Sequence, residues 1–113
     1  MIRKMPIATV QENEGLATGR LEFAHWLADE EKCPNVDVLA DIVVTPGAAV
    51  GDHQHVGEAE VYRALKGKAI YNDNGKEVEV TAGDVMVCYN GETHGIKNNS
   101  NEDFIFTAIV IKE

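Results

Sequence analysis

Cysteine, proline and tryptophan are scarce in this 113-residue chain, at two, three and one. Cys33 and Cys88 lie far apart and have no C-x-x-C spacing, which argues against a disulfide framework or a paired-thiol motif. No apolar run approaches the roughly 20 residues that a membrane helix requires. The opening M-I-R-K-M-P-I-A-T-V has no signal-peptide core, so a cytoplasmic protein without a membrane partner is expected. Basic residues are also few. Ten stand against nineteen acidic ones, for a net charge of −9, and this lacks the footprint that nucleic acid or an anionic surface demands. Arg3, Arg20 and Arg63 are the only guanidiniums, so no dedicated phosphate or carboxylate clamp is evident. Nucleophile elbow, phosphate loop and dinucleotide fingerprint are all absent.

What remains is β-rich. The length suits one domain, with residues 1–35 as an N-terminal strand or arm region and 36–113 as the core. Residues 1–10 read as a short strand or arm with Ile2, Ile7 and Val10 as apolar points, and 11–19 as a loop. Residues 21–27 alternate at first and predict a strand; 28–35 end in the turn signal Cys-Pro-Asn. From Val36 onward, branched residues and glycine turns predict strands over 36–45, 60–66, 68–72, 77–80, 85–89, 94–98 and 104–112. A hairpin is expected at Asn72-Asp73-Asn74-Gly75, because Asn and Gly tolerate positive φ. The segment from Phe104 is apolar at nearly every position, so burial on both faces is expected. No helix longer than a turn or two is visible. Short strands at regular spacing indicate a jelly-roll or barrel.

Histidine clusters within this pattern. His53 and His55 fall on one side of the chain only if the segment is extended, since alternate residues share a strand face whereas helical neighbours meet at i+3 and i+4. The Val56-Gly57-Glu58-Ala59 stretch can then turn the chain and return Glu60 beside the imidazoles. His94 follows an Asn90-Gly91 turn and completes the set. Three imidazoles and a carboxylate suit one divalent first-row metal (Fe, Mn, Ni, Zn, Co or Cu) and can leave positions open for water or substrate. Glu58 is the competing carboxylate, but its place directly after Gly57 reads as a solvent-facing turn, so Glu60 is preferred.

These residues resemble the two motifs of the cupin superfamily, and specifically its small single-domain members. In the first, G-x5-H-x-H-x4-E-x6-G, Gly47, His53, His55, Glu60 and Gly67 fit at every position. In the second, G-x5-P-x-G-x2-H-x3-N, Gly83, Gly91, His94 and Asn98 fit, and Tyr89 stands in place of proline. The resemblance implies an all-β, cupin-type jelly-roll β-barrel (double-stranded β-helix), with metal ligands His53, His55, Glu60 and His94, and a homodimer. An N-terminal segment, Ile2 to Val10, adding to a neighbour's sheet edge is the expected means of association.

Further residues carry expectations of their own. Tyr62 shares strand parity with Glu60 and should face the lumen; with Glu60 it is the candidate catalytic residue, or the holder of a ligand's second nitrogen. Arg63 should point away. Cys88 reads as a small buried hydrophobe, His25 as a packed or exposed structural residue, and Asn98 as a fixer of backbone. The expected function is metal-dependent chemistry on a small polar organic molecule, dioxygenase-like. An isomerase or lyase, or a non-catalytic binding or sensing module, is the alternative, because fold and metal site do not by themselves fix a reaction.

Overall fold

The structure, a computed structural model, describes all 113 residues. Its strands are β1 (Ile7–Glu12), β2 (Ala17–Thr18), β3 (Arg20–His25), β4 (Val36–Val44), β5 (Ala49–Gln54), β6 (Glu58–Lys66), β7 (Lys68–Asp73), β8 (Lys76–Thr81), β9 (Val85–Cys88), β10 (Thr93–Lys97) and β11 (Phe104–Lys112). One turn of 3-10 helix, Asp29–Glu31, is the only helical element. All pairings are antiparallel and form two sheets, ordered β1-β3-β4-β11-β6-β9 and β2-β5-β10-β7-β8. This is the jelly-roll barrel that strand spacing and motifs indicate. The segment read as an arm contributes β1 to its own sheet by pairing with β3, and β2 forms where a loop is expected.

Alternation along the strands sets the core. Ala40, Ile42 and Val44 of β4, Tyr62 and Ala64 of β6, and Phe104, Phe106 and Ala108 of β11 are all buried in the space between the sheets. The expectation that β11 is buried on both faces does not hold. Phe104, Phe106, Ala108 and Val110 are buried, whereas Ile105, Thr107 and Ile109 are half-buried and Ile111 is exposed. The strand is central to its sheet, but no second layer covers the outer side. Sequence periodicity cannot distinguish a covered face from an apolar one left open.

Two local devices position the site. Between β7 and β8, Asn74 (φ 52°) and Gly75 (φ 95°) form a two-residue hairpin turn with positive φ at both places, as the sequence predicts. Its tip is not free. The Asn74 N–H donates to the Thr93 carbonyl at 3.0 Å, and the Thr93 N–H donates to Asn74 Oδ1 at 2.9 Å, immediately before His94. Asn98 does fix backbone. Its buried amide donates to the Val44 and Glu102 carbonyls at 2.8 and 2.7 Å, and its Oδ1 accepts from the Ser100 N–H and hydroxyl at 2.9 and 2.7 Å. All four hydrogen-bonding positions of the side chain are thereby used.

Candidate metal centre

His53 and His94 face each other as paired residues of β5 and β10, so the sheet register itself brings the two motifs together. His55 lies one residue beyond β5. Its N–H donates to the Glu92 carbonyl (3.0 Å) and its own carbonyl accepts the Gly91 N–H (2.6 Å), which ties the first motif to the loop of the second. Gly57, at φ 76°, then reverses the chain, and its N–H is held by Asn90 Oδ1 at 2.8 Å. Glu60 follows on β6, pointing inward with Tyr62. Where the motif carries proline, the Tyr89 N–H donates to the Glu92 carboxylate at 2.9 Å and the Tyr89 carbonyl accepts the Glu92 N–H at 2.9 Å. A proline could not donate the first of these bonds; hydrogen bonding therefore closes this turn in its stead.

The four side chains converge. Glu60 Oε1 lies 2.9 Å from both His55 Nε2 and His94 Nε2, which are 3.0 Å apart. His53 Nε2 is 3.2 Å from His94 Nε2 and 3.8 Å from Glu60 Oε1. All four donor atoms lie within 4.8 Å of one another, and three of the four residues are buried. Ligands about 2.1 Å from one ion and at right angles to each other are separated by about 3 Å, so the shorter separations fit a single cation.

The outward nitrogens decide the protonation state. His53 Nδ1 is 2.7 Å from the Gly51 carbonyl, and His55 Nδ1 is 2.6 Å from a Glu58 carboxylate oxygen. Both partners only accept, so each Nδ1 carries the proton and each Nε2 presents a bare lone pair inward. His94 Nδ1 is 2.8 Å from the Tyr71 hydroxyl, which can accept in the same way. Three deprotonated Nε2 atoms and a carboxylate about 3 Å apart would repel one another unless a cation lay among them. A proton can partly fill that role. Burial alone would push the Glu60 carboxyl up, but the facing imidazoles of His53, His94 and His55 hold it down at about 2. His53 is raised from its ordinary 6.5, chiefly by the facing Glu60 carboxylate and against desolvation.

Two residues have roles that sequence reasoning missed. Glu58 is not a solvent-facing turn residue; it is half-buried and orients His55, because the Gly57 reversal folds it back over the ring. Tyr71, on β7, holds the second nitrogen of His94, the task assigned as one option to Tyr62. Tyr71 follows no motif spacing, and only the β7–β10 pairing could have revealed it. Tyr62 does face the lumen, with its ring 4.9 Å from that of His94 and tilted by 30°. Burial, together with the nearby Glu60 carboxylate, raises its phenol well above the ordinary range, so it is a neutral hydroxyl.

The remaining residues behave more plainly. Cys88 is buried opposite Glu60, and burial with neighbouring carboxylates pushes its thiol up to about 11, so it stays protonated and outside the donor set. Arg63 is exposed on the opposite strand face. His25 stacks on Phe23 at 5.5 Å and bonds Thr9 Oγ1 through Nε2 at 2.9 Å, away from the centre. No helix is long and apolar enough to cross a membrane.

Known proteins share this fold. The family model for the cupin domain matches residues 40–110. An oxalate-binding protein from Thermotoga maritima is 41% identical over 93 residues, covering 82% of this chain and 77% of that protein. The crystal structure of a predicted oxalate decarboxylase from Thermotoga maritima matches with a TM-score of 0.89 at 35% identity, over 97% of this chain and 95% of that one. The polyketide cyclase RemF from Streptomyces resistomycificus matches at a TM-score of 0.79 over 99% and 79% of the two chains, but at 19% identity it shares the fold alone. With both motifs drawn into one donor cluster and the family model spanning the strands that carry it, this chain belongs to the cupin family.

Proposed function

We propose that His53, His55, Glu60 and His94 hold one divalent transition metal and that the protein acts on a small organic molecule bound there through two oxygens. The observation that carries this reading is the convergence of three Nε2 atoms on the Glu60 carboxylate, with the Nδ1 atoms of His53 and His55 each facing a pure acceptor. When bound, the metal would supply a Lewis acid with positions open for a bidentate ligand or for ligand and oxygen together. The chain's own residues supply orientation and exclusion of water. Glu58, Tyr71 and the Gly51 carbonyl fix the three rings, and Tyr62 offers a neutral hydroxyl to the reacting end.

A dioxygenase-like oxidation is the preferred reaction, because, of the three carboxylates lining the cavity, Glu60 is a metal donor and Glu58 is engaged by His55, which leaves only Asp37 for proton transfer. A lyase reaction is the second reading, supported by the description of the 35%-identical relative as a predicted oxalate decarboxylase. Elemental analysis of protein purified without chelator, followed by a substrate panel run in air and under nitrogen, tests both. One metal per chain and substrate-dependent oxygen uptake support the first reading. Equal turnover without oxygen selects the second, and loss of neither metal nor turnover in His53→Ala and His94→Ala overturns the site.

We also infer a homodimer, formed by the outer face of the six-stranded sheet in place of the expected arm exchange. Trp26, Leu39, Val43, Val61, Ile105 and Ile109 give this face an apolar surface. Three strands about 30 Å long and three shorter ones, each about 4.8 Å from the next, make roughly 700 Å², close to the 800 Å² per partner of a standard interface. At its centre Asp41, Thr107 and Arg63 form one row across β4, β11 and β6. A twofold axis along β11 sets Asp41 against the partner's Arg63 and repeats the pair on the other side. Sedimentation should give twice 12.3 kDa at micromolar concentration. Arg63→Glu should dissociate the dimer, and Asp41→Arg with Arg63→Asp should restore it. A monomer, or a dimer indifferent to Arg63→Glu, rejects this interface.

A further inference from the structure

The barrel space beside the metal donors says more about the ligand than the donors do. A cavity of about 470 Å³ opens there, bordered by His53, His55 and Glu60. Most of its remaining wall is apolar, with Leu21, Phe23, Val38, Ile42, Val50 and Val110 among its lining, while Gln11, Asp37, Gln54 and Glu58 supply the polar part. Even at a full water's share of about 30 Å³ for each heavy atom, oxalate, with six, would occupy about 180 Å³. Most of the apolar wall would then face water, which is the opposite of what a fitted pocket does.

Charge points the same way. A divalent ion with the single Glu60 carboxylate carries a net charge of +1, so one further negative charge gives a neutral complex. A dianion leaves an excess negative charge in a space that no lysine or arginine lines, facing Glu58 and Asp37. The Lys112 ammonium approaches Asp37 at 3.9 Å but is not part of the lining. Without a counterion, burying that extra charge is costly.

We infer that the ligand of this centre is a monoanionic α-keto or α-hydroxy acid carrying an apolar group of several carbons, in preference to free oxalate. The carboxylate and the α-oxygen provide the two donors, and the apolar group lies along Leu21, Phe23, Ile42 and Val110. This inference rests on the metal centre proposed above and adds to it the class of ligand.

Calorimetric titration of the Ni(II)-loaded protein with oxalate, pyruvate, 4-methyl-2-oxopentanoate and phenylpyruvate tests it. Burial of three or more carbons at about 0.8 kcal/mol each should make the two larger acids bind at least about ten-fold more tightly than pyruvate. They should also bind more tightly than oxalate. Phe23→Ala should remove most of the preference for phenylpyruvate while leaving pyruvate affinity nearly unchanged. The ligand series on the unaltered protein decides the matter even if that variant folds poorly. Tightest binding by oxalate, or affinity that does not rise with the apolar group, overturns this inference and leaves the metal centre standing. Failure of the protein to take up Ni(II) overturns both.

Discussion

The two ends of the barrel interior behave in opposite ways. At one end β11 delivers Phe104 and Phe106, both fully buried, against Val44. At the other, β5, β6 and β10 deliver His53, Glu60 and His94, whose polar atoms face one another. The first end is satisfied by contact alone. The second is complete only with a positive charge among its donors. Stability and function are thus divided along the strand axis, and a mutation's position along a strand predicts which of the two it affects.

The strongest way to break this division is at its poles. His53→Ala or His94→Ala should abolish stoichiometric metal, measured by elemental analysis, while far-UV circular dichroism keeps its β signal. Phe106→Ala should do the reverse, lowering unfolding free energy by about 3–5 kcal/mol in denaturant titrations while any folded fraction still binds metal. If His94→Ala unfolds the chain or Phe106→Ala selectively strips the metal, the division is wrong.

Intermediate effects come from residues that hold the histidine rings in place. Glu58→Gln keeps the shape at His55 but weakens its acceptor, and metal affinity should fall about 10-fold to 100-fold by chelator competition. Tyr71→Phe should act more mildly on His94, since only one neutral hydrogen bond is lost.

Acid and base should separate the metal-free and loaded forms. Glu60 is depressed from 4.5 to about 2 in the folded state, so its contribution is present above pH 4.5 and is lost as pH falls toward 2. His53 is raised from 6.5, so its contribution is complete below that value and is lost as pH rises through its higher folded value. Metal-free protein should therefore melt highest between about pH 4.5 and 6.5, whereas the loaded form should be favoured above that range, where imidazoles are neutral and can bind. A melting profile of the same shape for both forms counts against the assignment. The smallest effect concerns the thiols: Cys33, exposed, should alkylate at neutral pH well before the buried Cys88.

Sequence made the donor cluster and the fold legible because the motifs that build them are local. His53, His55 and Glu60 sit within eight residues, and β5–β10 pairing needs only the two motifs to meet. Asn98 and the Asn74-Gly75 turn are equally local. Tyr71 was invisible because its role follows from which strands lie side by side, a long-range fact. Glu58 was misread for a subtler reason. One positive-φ glycine decides whether the next side chain faces water or folds back, and Gly57 does the latter.

The clasp between Asn74 and Thr93 has a practical corollary for protein engineering. Hairpin tips are ordinarily the most forgiving places to splice in a tag, a reporter or new chain termini. Here the tip grips the backbone one residue ahead of His94, so a graft between Asn74 and Gly75 would be transmitted to a donor atom. The loop after Asn98 offers no refuge, since that amide knots it to β4. Fusions are better attached at Met1, exposed and outside the strands, since the Glu113 N–H is held by the carbonyl of Gly57 at 2.9 Å.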